Sequence, residues 1–302
     1  MNKSIIDKII ELKVKKKAII LAHNYQPPEI QDIGDYVGDS LGLCQKAANT
    51  KADVIIFCGV WFMAESASLL NPDKTVILPE KEAGCPMADM VTVIRLKELI
   101  KKYPFSKVVC YINSNSEVKA LSDIICTSSN AEKIIESIPR NNEIIFIPDK
   151  HLGAYISSKT GRDMILWPGF CPVHQRILPE YIEKNKKQYP DAIVLVHPEC
   201  SKEVIALANF VGSTSNILRY CRNSDNKTFI IGTEHGILHS LRKDNPNKLF
   251  IPVSDLAECK NMKKITLEKV LYSLESLTPV VSVDQNIREK ALKPIEKMLK
   301  LS

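Results

Sequence analysis

Cys85, Cys171 and Cys259 stand 86 and 88 residues apart in a chain of 302 residues. Each closes a Pro-containing loop, in LPEKEAGC, LWPGFC and IPVSDLAEC. Three thiolates that converge on one point hold a metal and leave it a coordination position open to substrate. Zinc in a structural site takes a fourth protein ligand. His174, three residues after Cys171, could serve, but its equivalents are Ala88 and Met262. A [4Fe–4S] cluster on three cysteines keeps one iron free, able to act as a Lewis acid on substrate oxygen. The residues alone do not choose between the two metals. The competing expectation is a triplicated core cysteine, because free cysteine is among the most buried residue types.

The cysteine spacing belongs to a longer repeat. Residues 111–130, YINSNSEVKALSDIICTSSN, match 197–216, HPECSKEVIALANFVGSTSN, at an offset of 86. Glu117 falls on Glu203, Val118 on Val204, Ala120 on Ala206, Leu121 on Leu207 and Asn130 on Asn216. Residues 23–42 fall in register 88 positions earlier, with Glu29 on Glu117, Asp35 on Asp123 and Ser40 on Ser128. The chain therefore reads as three copies of one unit. Equivalent residues should meet around one axis, beyond the carboxyl ends of parallel strands. The sets placed there are His23/Tyr111/His197, Tyr25/Asn113/Glu199 and Ser40/Ser128/Thr214. The first two sets differ in type between copies, as one substrate with distinct ends requires. The hydroxyl set either caps helices or, with helix N–H groups, cradles a phosphate or carboxylates. Glu29, Glu117 and Glu203 read as caps or structural pairs.

The elements that must position these residues are short, continuous apolar runs at 18–21, 54–57, 75–78, 107–112, 143–147, 164–166, 192–196, 228–231 and 248–251. Continuous rather than alternating runs suit strands buried on both faces. Helical patterns at 91–103, 131–138 and 177–188 lie between them. The expected fold class is α/β: three pseudo-threefold-related repeats, each a small parallel sheet flanked by helices, with the site at the central interface. The expected units are 1–88, 89–174 and 175–260, followed by a helical tail, 261–302, that closes against the first repeat. A hydrophobic share of 45% and a charged share of 25% exclude disordered, collagen-like and coiled-coil classes. No G-x-G-x-x-G follows a strand and no P-loop motif is present. The net charge of +6 suits an anionic small molecule, and the basic N-terminal helix reads as a solvated face. Nucleic acid and membrane are not expected as partners. The polar N-terminus and the nine cysteines, an odd number, point to a cytoplasmic chain with reduced thiols.

The segments HNYQ, GDSL, GCPMADM, CYINS, PGFCPVH, HPEC and GST, in this order, resemble the quinolinate synthase family, [4Fe–4S] enzymes of de novo NAD biosynthesis. The resemblance runs from about residue 18 to 259 and continues into the tail. It implies a fold of three α/β domains around a cluster. The implied reaction is a transferase-type condensation of iminoaspartate with dihydroxyacetone phosphate, releasing phosphate and water. It further implies cluster ligation by Cys85, Cys171 and Cys259. Substrate contacts would come from His23, Ser40, Tyr111, Ile112, Asn113, Ser128, His197, Pro198, Glu199 and Thr214, and Tyr25 matches an active-site tyrosine. Glu199 is then the expected general base, with His197, Tyr25 and His23 assisting proton transfer and carboxylate binding. The iminoaspartate-producing enzyme is the expected protein partner. Some members carry an additional C-x-x-C pair; none occurs here, so no such disulfide switch is expected. Two other classes compete: another metal-dependent lyase or aldolase on the same scaffold, and a non-catalytic iron–sulfur or zinc sensor. A sensor needs a recognition helix or apolar patch, and the sequence shows no clear helix-turn-helix.

Overall fold

The computed structural model describes residues 2–302. Twelve strands form three four-stranded parallel sheets. The first holds β1 (Ala18–His23), β2 (Tyr36–Gly38), β3 (Val54–Cys58) and β4 (Thr75–Ile77) in the order β2-β1-β3-β4. The second holds β5 (Lys107–Tyr111), β6 (Ile124–Cys126), β7 (Ile144–Ile147) and β8 (Ile165–Leu166) in the order β6-β5-β7-β8. The third holds β9 (Ile193–Val196), β10 (Phe210–Val211), β11 (Thr228–Gly232) and β12 (Leu249–Pro252) in the order β10-β9-β11-β12. Each sheet thus repeats one topology, with helices as crossovers. The central strands β3 and β7 are buried along their whole length, which is why their sequences are continuously apolar. The edge strands β2, β6 and β10 span only two or three residues and escaped the apolar-run pattern.

One repeated residue has a purely structural office. Asp35 Oδ2 accepts the N–H of Ile20 at 2.8 Å, and Asp123 Oδ2 accepts that of Val108 at 2.9 Å. Asn209 Oδ1 does the same for Val194 at 2.8 Å in the third sheet. Each latches the edge strand to its neighbour. The units also meet through equivalent positions. Gln31 accepts from Ser240 at 2.7 Å, and the fully buried Lys119 donates to Ser66 at 3.0 Å. The third position of the Gln31/Lys119 set holds the apolar Ile205. Glu29, Glu117 and Glu203 stand in the first turns of short helices, exposed, as first-turn acids.

The C-terminal helices cover more than the first unit. Helix Leu267–Ser276 packs on Asn2–Lys15, and Val280 bridges to Ile77 at the edge of β4. Helix Gln285–Lys300 then crosses to the second unit, against Ser116–Lys119 and β6. Lys297 Nζ donates to the Asp123 carbonyl at 3.2 Å, and Asn130 to Ser302 Oγ at 2.7 Å. One continuous apolar core accordingly joins the first two units and the tail, whereas the third sheet packs two smaller cores. Among the described residues no helix is long and apolar enough to cross a membrane.

Candidate active site

The carboxyl ends of the strands from all three sheets face one cavity of about 200 Å³. Its lining includes Cys85, Cys171 and Cys259, together with His23, Tyr25, Ser40, Tyr111, Asn113, Ser128, His197, Glu199 and Thr214. Ile112 and Pro198 do not line it. Both are buried, Ile112 within the apolar core with its N–H on the Cys126 carbonyl at 2.8 Å. The loop that carries Tyr111 and Asn113 therefore points alternate residues away from the cavity.

Of the nine cysteines, Cys85, Cys171 and Cys259 are partly exposed and the other six are buried. A triplicated core residue would be buried in all three copies, so that expectation does not hold. Each of the three is followed by a short 3-10 helix, at Ala88–Met90, His174–Arg176 and Met262–Lys264. The N–H groups of Ala88, His174 and Met262 are directed at the sulfur three residues earlier. N–H donors stabilise a thiolate, so the donor set fits a group bound through three thiolates. Without such a group, burial pushes all three thiols up, Cys85 to about 12. Binding a metal there must release their protons.

A second cluster adjoins Cys171. Glu199 Oε1 accepts from the Tyr111 hydroxyl at 2.6 Å, and Glu199 Oε2 lies 2.7 Å from His174 Nδ1. His174 Nε2 is 2.8 Å from Thr233 Oγ1, which is 2.6 Å from the Tyr25 hydroxyl. A continuous chain of contacts therefore joins Tyr25, Thr233, His174, Glu199 and Tyr111. The ligating atoms of Cys171, His174 and Glu199 lie within 4.8 Å of one another, close enough for a metal. Thr233 engages His174 Nε2, whereas Nδ1, though 2.7 Å from Glu199 Oε2, lies outside hydrogen-bonding geometry and is the ring nitrogen that could face a metal. Thr233 carried no signal in the repeat comparison. Its position just beyond the end of β11 is the clue that locates it.

The charge states follow from these partners. Burial opposes charge at Glu199, but His174 and His197, with the hydrogen bond from Tyr111, hold its carboxyl below the ordinary range. Burial, reinforced by Glu199, pushes Tyr25 and Tyr111 well up, so both hydroxyls keep their protons. Burial pushes the rings of His23 and His197 down to about 4 and about 3. Their Nδ1 atoms accept the backbone N–H two residues on, Tyr25 at 3.1 Å and Glu199 at 3.3 Å. A neutral ring that accepts at Nδ1 carries its proton on Nε2. These two repeat-related histidines are therefore neutral Nε2–H donors, and His197 directs that atom at Ser128 Oγ, 3.2 Å away.

The hydroxyl set is not a set of caps. Asp39 caps helix Ser40–Asn49 and Ser213 caps helix Thr214–Asn223, each one residue earlier than expected. Ser40, Ser128 and Thr214 are left to face the cavity. Ser129 Oγ joins the caps, donating to Asp39 and accepting from the Ser213 hydroxyl 2.8 Å away. Thr214 Oγ1 accepts from Asn24 at 2.8 Å. Asn113 Oδ1 is buried without a partner among the described residues, an acceptor that a ligand N–H or O–H would satisfy.

A family model described as quinolinate synthetase A protein matches residues 7–300. A protein of Dehalococcoides mccartyi (strain 195) named quinolinate synthase is 55% identical over 295 residues, 98% of this chain and 97% of its own. Proteins of the same name from Thermodesulfovibrio yellowstonii and Methanosarcina barkeri are each 50% identical, over 98% of this chain and 98% and 97% of theirs.

Proposed function

Because the chain belongs to the quinolinate synthetase A family, we propose that it condenses iminoaspartate with dihydroxyacetone phosphate to quinolinate, releasing phosphate and water. The same reading places a [4Fe–4S] cluster on Cys85, Cys171 and Cys259, in the cytoplasm, with the iminoaspartate-producing enzyme as a functional neighbour. The observation that carries it is the convergence of the three partly exposed cysteines and a buried acid–base chain on one cavity. When bound, the cluster supplies an iron with a free position, a Lewis acid for substrate oxygen.

The chain's own residues do the rest. His23 and His197 donate from Nε2 to carboxylate or phosphate oxygen. Ser40, Ser128 and Thr214 add hydroxyls, and the N-termini of helices Ser40–Asn49 and Thr214–Asn223 add N–H groups. Glu199 is the base of the site. A proton leaving substrate at Tyr25 passes through Thr233 Oγ1 and His174 to Glu199 Oε2, over contacts of 2.6, 2.8 and 2.7 Å. Tyr111 holds the other carboxylate oxygen and fixes its orientation.

Anaerobic purification with iron, sulfide and zinc analysis, on wild type and Cys171→Ser, tests the reading. The expected result is about four irons and four sulfides per chain, lost in the variant, with quinolinate formed from the two substrates. One zinc per chain, which the Cys171–His174–Glu199 group favours, overturns the cluster. Iron without quinolinate points to another lyase on this scaffold.

A further inference from the structure

Two residues beyond the ends of β7 and β11 stand Asp149 and Glu234, and beyond β3 stands Val60. Both acids are fully buried, at 0% exposure. Each uses its two oxygens on different segments. Asp149 Oδ1 accepts the N–H of Leu152 at 2.8 Å and so caps helix Lys150–Thr160. Its Oδ2 accepts the N–H of Cys171 at 3.1 Å. Glu234 Oε2 accepts the N–H of Gly236 at 2.8 Å, and Oε1 accepts that of Cys259 at 3.1 Å. Lys263 Nζ lies 2.8 Å from the same Oε1. All three units share a main-chain tie two residues before the cysteine, from the N–H of Trp61, Lys150 and His235 to the carbonyls of Ala83, Gly169 and Ala257 at 2.8, 2.8 and 3.0 Å, and only the second and third add the carboxylate tie.

A cap needs one acceptor oxygen. In both acids the second oxygen is directed at a cysteine amide about 22 to 25 residues away in sequence. We propose that Asp149 and Glu234 are positioning residues that strap the Cys171 and Cys259 loops into the shape that presents their sulfurs to the cavity. The inference rests on the reading of Cys85, Cys171 and Cys259 as cluster ligands. Ordering a free loop costs about 1–2 kcal/mol per residue, and a strapped loop has met that cost before the group binds. The sulfurs take their donors from His174 and Met262, three residues on, as Cys85 does from Ala88. A carboxylate is required because both oxygens must accept; an amide of the same shape offers one acceptor and sets an NH2 against an N–H.

The test uses the full chain, purified anaerobically, as wild type, Asp149→Asn, Glu234→Gln and Asp149→Ser. The serine keeps a cap and is too short to reach Cys171. Asp284→Ala, at the cap of the distant helix Gln285–Lys300, controls for cap loss alone. Iron release to an excess of chelator is followed by absorbance, beside thermal unfolding. The strap variants should release iron about 10-fold faster or more, and the control should match wild type at a similar loss of Tm. Release at the wild-type rate in the strap variants, or equal acceleration in the control, overturns the inference. Wild type without iron overturns the ligand reading itself, a separate and recognisable result.

Discussion

Replacing Glu199 with glutamine changes one oxygen to NH2 and almost nothing in volume. The amide oxygen can still accept from Tyr111, but the NH2 must then face His174 Nδ1, 2.7 Å from where Oε2 stood. In the native site a carboxylate opposite Nδ1 keeps the ring proton there, so Nε2 accepts from Thr233 and Thr233 accepts from Tyr25. Opposite an NH2 the proton moves to Nε2, Thr233 must accept from it, and Tyr25 loses its outlet. Removing a general base costs about 10²–10⁴ in rate, about 3–5 kcal/mol in barrier at 1.36 kcal/mol per decade. Folding stability should change far less. Hydrogen bonds to a charged group are worth about 1.5–3 kcal/mol each, but the burial of that charge is relieved by a comparable amount. The assay is kcat for quinolinate at saturating substrates, with iron content and the His174 tautomer by nitrogen NMR. A kcat within about threefold of wild type, with the tautomer reversed and iron retained, refutes the proton path. Loss of iron together with activity shifts the effect to the cluster.

Gly169 lies two residues before Cys171, and a Cβ there would stand 2.5 Å from the Pro148 carbonyl oxygen, main chain that cannot rotate aside. Gly169→Ala should lose about 1–3 kcal/mol and iron occupancy, read by urea unfolding and iron analysis. Gly161→Ala meets open space but keeps φ at +61°, so it should lose about 1 kcal/mol with iron unchanged. His23 is buried neutral, with its folded value near 4 against an ordinary 6.5. Below pH 6.5 the unfolded chain takes up the proton first, so stability falls as pH drops from 6.5 toward 4, by about 3 kcal/mol at about 1.4 kcal/mol per pH unit. His23→Gln should flatten that part of the urea-stability profile, and an unchanged profile would exclude His23 as the source. Lys119→Met leaves Glu65 buried without its cationic neighbour and should cost about 3–5 kcal/mol, most of it recovered in the double variant with Glu65→Gln.

Much of this arrangement is legible in the chain because a repeat is an internal alignment. Offsets of 86 and 88 locate the three cysteines, the strand-end sets and the latch residue Asp35/Asp123. The apolar runs locate nine of the twelve strands. The edge strands β2, β6 and β10 lie outside the nine apolar runs. Ile112 and Pro198 belong to the site by loop membership, and alternation of side-chain direction turns their side chains from the cavity.

By itself the sequence determined what local chemistry repeats: parallel units of one topology, three like cysteines, and unlike side chains at equivalent strand ends. Spacing and apolar pattern are properties of the chain, and they survive without knowing what touches what. Only the tertiary structure decided the contacts made across units. It placed Glu199 of the third unit on Tyr111 of the second, and Thr233 between His174 and Tyr25. It made caps of Asp39 and Ser213 and left Ser40 and Thr214 to the cavity. It also gave the second oxygens of Asp149 and Glu234 to the cysteine loops. Such contacts join residues up to 208 positions apart. A hydrogen bond needs placement to a few tenths of an ångström, and that comes from the packing of three sheets rather than from any one segment.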